Sequence, residues 1–173
     1  MIDMPATAGI KAVLDERSDV EYDELTERSE DTIVQHIGNY DAVILSTTPF
    51  TARIIEATSR LKIVSRFGVG YDNVDVDALT RQRIPLAVVG SANSVTVAEH
   101  ALMFMLALAK RIVSFDREVR QGIWDRWKYP AIDLAERKVL IFGFGRIGRR
   151  LTKRCLGMDM TVLVHDPYVI QDS

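Results

Sequence analysis

Val139-Leu140-Ile141-Phe142-Gly143-Phe144-Gly145-Arg146-Ile147-Gly148 is the stretch from which the rest of the chain is read. Four apolar residues run directly into glycine, the pattern of a strand buried in a parallel sheet. The glycines fall as G-x-G-x-x-G, and each has its own physical task. Gly143 permits the tight turn off the strand. Gly145, without a Cβ, lets a pyrophosphate approach the backbone. Gly148 lets the following helix pack closely on the strand. That helix is expected through Arg149 to Leu156, with Gly157 as its C-cap residue. A second strand follows over Thr161 to His165 and ends at Asp166, 18 residues beyond Gly148. A βαβ dinucleotide unit places its ribose-binding carboxylate at about that distance. Strand, glycines, helix, strand and acid in register therefore point to a dinucleotide site. Without the register, the glycines would make an ordinary β-to-α turn and Asp166 a strand-end acid.

The composition narrows the remaining classes. Of 173 residues, 47% are hydrophobic and 27% charged, an ordinary globular mix sufficient for one domain or two small ones. A net charge of −2 gives no reason to expect a nucleic-acid partner. The longest apolar run, Ala101 to Ala109, is half of what a membrane span needs, so no membrane association is expected. Met1 to Gly9 lacks the basic and apolar regions of a signal peptide. The one cysteine, Cys155, cannot form an internal disulfide, which suits a reducing cytoplasm; it reads as a small helix residue and not as a nucleophile. No metal-ligand set is singled out.

Upstream, strands are expected at Ile10–Leu14, Asp41–Ser46, Leu61–Ser65 and Pro85–Val89. Helices are expected after Asp31 as N-cap, after Thr51, and after Asp75 or Asp77. Ser18 to Glu30 reads as an acidic loop with a weak helix. The alternation predicts a parallel, helix-covered sheet. One long helix is then expected from Val95 to Gln121, opened by a capping box of Thr96 and Glu99 and apolar nearly all round in its first half, hence buried on most sides. The arm from Ile123 to Pro130 carries Trp124 and Trp127, either as anchors for a partner or packed on their own domain. Gly68 and Gly70, in Arg66-Phe67-Gly68-Val69-Gly70-Tyr71-Asp72-Asn73-Val74-Asp75, would expose backbone amides at the carboxyl end of the third strand, able to hold a carboxylate.

Four of these pieces together resemble the NAD-dependent D-isomer-specific 2-hydroxyacid dehydrogenases, a family that includes D-3-phosphoglycerate dehydrogenase. They are Gly68 to Asp75, Ala92 to His100, Gly143 to Gly148, and His165-Asp166-Pro167-Tyr168, and the likeness runs from Ile10 onward. The resemblance implies an α/β fold: a flavodoxin-like substrate domain, here its first part over residues 1–92, followed over 93–173 by an interface helix and the first β-α-β of a Rossmann NAD-binding domain. The resemblance assigns Val69 and Gly70 to the substrate carboxylate and Thr96 to the nicotinamide half of the cofactor. It places Gly143, Gly145, Arg146, Ile147 and Gly148 around the pyrophosphate and Asp166 on the adenosine ribose. It implies NAD as cofactor, a small 2-hydroxy or 2-keto acid as substrate, and a homodimer formed by helix 95–121 and arm 123–130. The family's catalytic arginine, glutamate and histidine would lie beyond Ser173, so no catalytic residue is named and the chain reads as truncated. The phosphoglycerate enzymes carry an arginine after the second strand, where this chain has Leu45-Ser46-Thr47-Thr48-Pro49; Arg53 and Arg66 are the candidate substitutes. The implied activity is hydride transfer between NAD and a D-2-hydroxy acid. The alternatives are a corepressor-like NAD-binding interaction protein and an inactive fragment.

Overall fold

The computed structural model describes residues 1–169, and the chain divides into two compact units, Met1–Gly90 and Ser91–Ser173. In the first unit three strands, β1 (Ala42–Leu45), β2 (Ile63–Arg66) and β3 (Leu86–Val88), pair in parallel in that order. Two further segments extend the sheet by single parallel bridges. Ile2 lies beside Ile44 on one side and beside Glu24 on the other. Numbered along the chain, the spatial order is second, first, third, fourth, fifth, the flavodoxin-like doubly wound arrangement.

Met1–Asp3 thus takes the sheet position that the sequence pattern suggests for Ile10–Leu14. Those residues instead lie in α1 (Ala8–Asp15), because the Thr7 side chain accepts the Ile10 amide at 3.4 Å and starts a helix there. A five-residue stretch with four apolar positions fits either period, and the cap decides it. The next helix, α2 (Glu30–His36), is capped by Ser29 and not by Asp31. Helix α3 (Ala52–Glu56) is capped by Thr51, and α4 (Val76–Gln82) by Asp75, whose carboxylate takes the Ala78 amide at 2.8 Å.

Helices and sheet close over one core, in which Phe50, Ile37, Ile54, Ile55 and Val64 are fully buried. Removing a ring such as that of Phe50 costs about 3–5 kcal/mol. Phe50 also pins backbone: it bridges Val74, its amide donates to Asn73 O at 2.7 Å, and its carbonyl accepts from Asp75 N at 2.9 Å.

The second unit opens with α5 (Ser94–Ala109) and α6 (Ile112–Arg120). One helix over 95–121 is not what forms. Arg111 adopts a left-handed conformation, φ 55°, and the chain turns there without glycine or proline. The released carbonyl of Ala109 accepts the Ile132 amide at 3.0 Å, and Lys110 pairs with Asp133. The capping box does not form either. Helix α5 begins at Ser94, whose hydroxyl and amide both bond Ser91 O, so Thr96 sits inside the first turn. Glu99 is drawn off to Arg154 at 2.6 Å. Nor is the apolar first half buried on most sides: Ala98 is enclosed, while Met103, Phe104 and Leu108 are exposed, Leu108 to 72%.

Strands β4 (Lys138–Phe142) and β5 (Thr161–His165) pair in parallel through α7 (Arg146–Leu156). Cys155 is fully buried on α7. Burial raises its thiol pKa, as expected of an inert packing residue. Gly157 does end α7, in ordinary right-handed geometry. Among the described residues no helix is long and apolar enough to cross a membrane.

Candidate functional site

The glycine loop is built as its spacing demands. Gly143 takes φ 90°, a conformation that admits glycine far more readily than other residues. A Cβ on Gly148 would lie 2.1 Å from Gly143 O, so only glycine lets α7 start this close to the strand. A Cβ on Gly145 would meet nothing within 4 Å, so that side of the loop is open. Gly145 is the N-cap residue of α7 and offers no capping side chain. The amides of Gly145, Ile147 and Gly148 have no acceptor among the described residues. They are the donors a helix N-terminus presents to an anion.

Asp166 stands at the end of β5 and is tied into the loop. Its Oδ2 accepts the Phe144 amide at 2.6 Å and its Oδ1 accepts the Tyr168 amide at 2.8 Å. These two bonds, Phe144 first, hold its carboxyl below the usual carboxylate range. A carboxylate has about four acceptor positions, so both oxygens can still receive a hydroxyl. The loop and the acid therefore fit a dinucleotide: unpaired amides, an open glycine, and an ionised carboxylate at the strand end.

Thr96 is exposed on the third residue of α5 and bonds to no other described side chain. Two polar residues to which the sequence motifs assign no role, Ser94 and Arg150, fix this helix start. Arg150 Nε donates to Ser94 Oγ at 3.1 Å, from α7 to α5, and the Arg154–Glu99 pair repeats the link one turn on.

In the first unit, the loop after β2 is only partly as expected. Gly68 does not expose its amide, which donates to Arg66 O at 2.8 Å. Val69 and Gly70 keep theirs without an acceptor among the described residues, so the free donors begin one residue later. Asn73 holds the neighbouring loop, donating from Nδ2 to Thr48 O at 2.7 Å and to Ser46 O at 3.4 Å. Arg53 is engaged by Glu30 and Asp31. Arg66 folds under its own loop onto Phe67 O at 2.6 Å.

Among the described residues none of the three histidines is paired with an acid in catalytic fashion. His36 is exposed on α2. His100 makes an edge contact with Phe104 at 4.4 Å. His165 lies 5.2 Å from the Phe142 ring. No cluster of three or more metal-ligating side chains is present among the described residues.

The arm projects both tryptophans into solvent, Trp124 84% and Trp127 82% exposed, so they do not pack on their own unit. Glu118 holds the far end of the arm: buried on α6, its Oε1 takes Lys128 Nζ at 2.5 Å and Tyr129 Oη at 2.8 Å.

The family model described as D-isomer specific 2-hydroxyacid dehydrogenase, catalytic domain, matches residues 2–161. Among curated relatives, the D-3-phosphoglycerate dehydrogenase of Archaeoglobus fulgidus is 35% identical over 157 residues, 90% of this chain and 30% of that protein. That of Synechocystis is 37% identical over 145 residues, 83% of this chain and 26% of that protein. The chain thus spans under a third of these relatives' length. Among solved structures, an NAD-dependent formate dehydrogenase from Staphylococcus aureus in complex with NAD superposes with a TM-score of 0.83 at 29% identity, over 96% of this chain and 55% of that one.

Proposed function

The chain belongs to the D-isomer specific 2-hydroxyacid dehydrogenase family, and on that premise we propose that it carries the cofactor loop and the substrate-carboxylate loop of an NAD-dependent oxidoreductase acting on the CH–OH group of a small D-2-hydroxy acid. NAD, when bound, supplies the hydride chemistry. The protein's part is to hold and orient. Gly145, Arg146, Ile147 and Gly148 line the pyrophosphate by backbone, with Gly143 shaping the turn. Asp166 accepts from the adenosine ribose hydroxyls. Thr96 borders the nicotinamide half. Val69 and Gly70 donate amides to the substrate carboxylate, a charge-assisted arrangement that tolerates no competing acceptor.

The observation that carries the cofactor reading is the Phe144–Asp166 hydrogen bond, which makes acid and glycine loop one unit. Residues 1–92 are the first part of the substrate domain, and 93–173 are an interface region with the first β-α-β of the NAD domain. The assembly is a homodimer through helices 95–121 and arm 123–130, supported by the exposed Leu108, Trp124 and Trp127. The lone buried thiol suits a reducing cytoplasm.

Fluorescence titration with NADH tests the cofactor site. The chain should bind, and Asp166→Ala should weaken binding about tenfold or more, the effect of losing hydrogen bonds to a charged group. Equal binding by D166A contradicts the assignment.

A further inference from the structure

Phe144 is held from both sides of its backbone. Its N–H donates to Asp166, as above, and its carbonyl accepts from Arg149 Nε at 3.0 Å. The Arg149 guanidinium also lies over the Phe144 ring, 5.0 Å from its centroid. Arg149 is in the first turn of α7, and its own amide donates to Gly145 O at 3.1 Å. One residue therefore grips the two peptides that lead into the helix.

The second grip bears on the ligand side. The carbonyl of Phe144 and the amide of Gly145 belong to one peptide unit. That unit is planar and trans, as are all the peptide bonds described, so its C=O and N–H point in opposite directions. Fixing the carbonyl toward the α7 flank fixes the Gly145 N–H toward the open side of the loop. Without that anchor the peptide turns more freely, because Gly145 on its far side imposes little steric restraint.

We infer that Arg149 is a positioning residue of the cofactor site: it latches the Phe144–Gly145 peptide so that the Gly145 amide is already aimed at the anion the loop binds. The inference rests on the NAD reading above for the identity of that anion, though not for the latch itself. Arg149 touches no reacting atom. Its contribution is preorganisation, so it acts on affinity and not on the chemical step. Its positive charge near the loop offers a competing account, direct attraction of the phosphates. The two accounts separate at lysine, which keeps the charge and lacks the planar Nε donor.

The test uses the 173-residue chain with Arg149→Met and Arg149→Lys, both at an exposed position. NADH affinity should fall about tenfold in R149M and nearly as far in R149K, the cost of one charge-assisted hydrogen bond. The melting temperature should stay unchanged in both. In the unliganded chain, the Gly145 amide resonance should shift and broaden in R149M. NADH affinity preserved in R149K and lost in R149M would make Arg149 a charge and not a latch. A Gly145 resonance unmoved in R149M would overturn the inference with no cofactor present. Failure of the unsubstituted chain to bind NADH would overturn the cofactor reading, and the Gly145 resonance would then decide the latch alone.

Discussion

Asp166 Oδ2 takes the amide hydrogen of Phe144 at 2.6 Å, joining the end of β5 to the loop that leaves β4. The bond carries two consequences at once. It stiffens the turn, and it keeps the carboxylate ionised with lone pairs to spare.

The first prediction concerns pH. The Asp166 pKa is lowered in the folded chain by the Phe144 and Tyr168 amides. A depressed folded value contributes stability above the unfolded pKa, and that contribution is lost as pH falls through the folded pKa. NADH binding should therefore persist through the range where a free aspartate protonates and fail only below it. Asp41, lowered to about 2 by Arg60 and Lys62, follows the same sign in the first unit. Its partners are exposed, so Asp41→Asn should change stability little. The Asp166 carboxyl resonance followed against pH is the check; a midpoint at or above the ordinary aspartate value contradicts the bond.

Two glycines should separate fold from function. Gly148→Ala drives a Cβ into Gly143 O and should cost about 1–3 kcal/mol of stability, as overpacking does. Gly145→Ala meets no protein atom and adopts an ordinary φ of −77°, so it should fold normally yet weaken NADH binding by closing the open side of the loop. Thermal unfolding beside NADH titration reads both. A G148A chain as stable as the parent would show that β4 and α7 can part without penalty.

Association should depend on the arm. Trp124 and Trp127 project into solvent, the exposure expected of anchors at an interface. Sedimentation at micromolar concentration should give twice the chain mass, and the double change to alanine should shift it toward one. A monomer with both tryptophans intact contradicts the dimer.

How much of this was legible depended on how local each cause is. The β4–glycine–α7–β5 unit could be read because strand, turn and helix are set by neighbouring residues. The Met1–Asp3 sheet position could not, since a three-residue segment shows no period, while Ile10–Leu14 showed one it does not use. The break at Arg111 carries no glycine or proline to mark it; the pairing of Ala109 and Lys110 with residues 132 and 133 is a tertiary cause. Thr96 and Glu99 had capping spacing, but Ser94 and Arg150 start the helix earlier. The loop at Val69 and Gly70 follows β2, as the pattern suggests, and their substrate role is a proposal; Gly68 is not a free donor, because its bond to Arg66 O is a matter of turn geometry.

The 173-residue chain by itself should not turn over 2-keto acids. Proton transfer needs a positioned acid-base group, worth about 10²–10⁴-fold. His100, the histidine on α5, contacts Phe104 and has no acid partner among the described residues. NADH oxidation with glyoxylate, hydroxypyruvate and pyruvate is the assay; turnover within tenfold of a longer relative would make His100 the first residue to replace.

The central claim, that the glycine loop and Asp166 form an NAD site, is tested most directly by titrating the chain with NADH and NADPH side by side. Asp166 would face the 2′-phosphate of NADPH, and two like charges at close range repel. His165 and Pro167 flank it in sequence and bring no arginine, and the nearby Arg149 is engaged by Phe144 O through its Nε. NADH bound at least about tenfold more tightly than NADPH is the predicted result. Equal affinity for the two, or none for NADH, would contradict it.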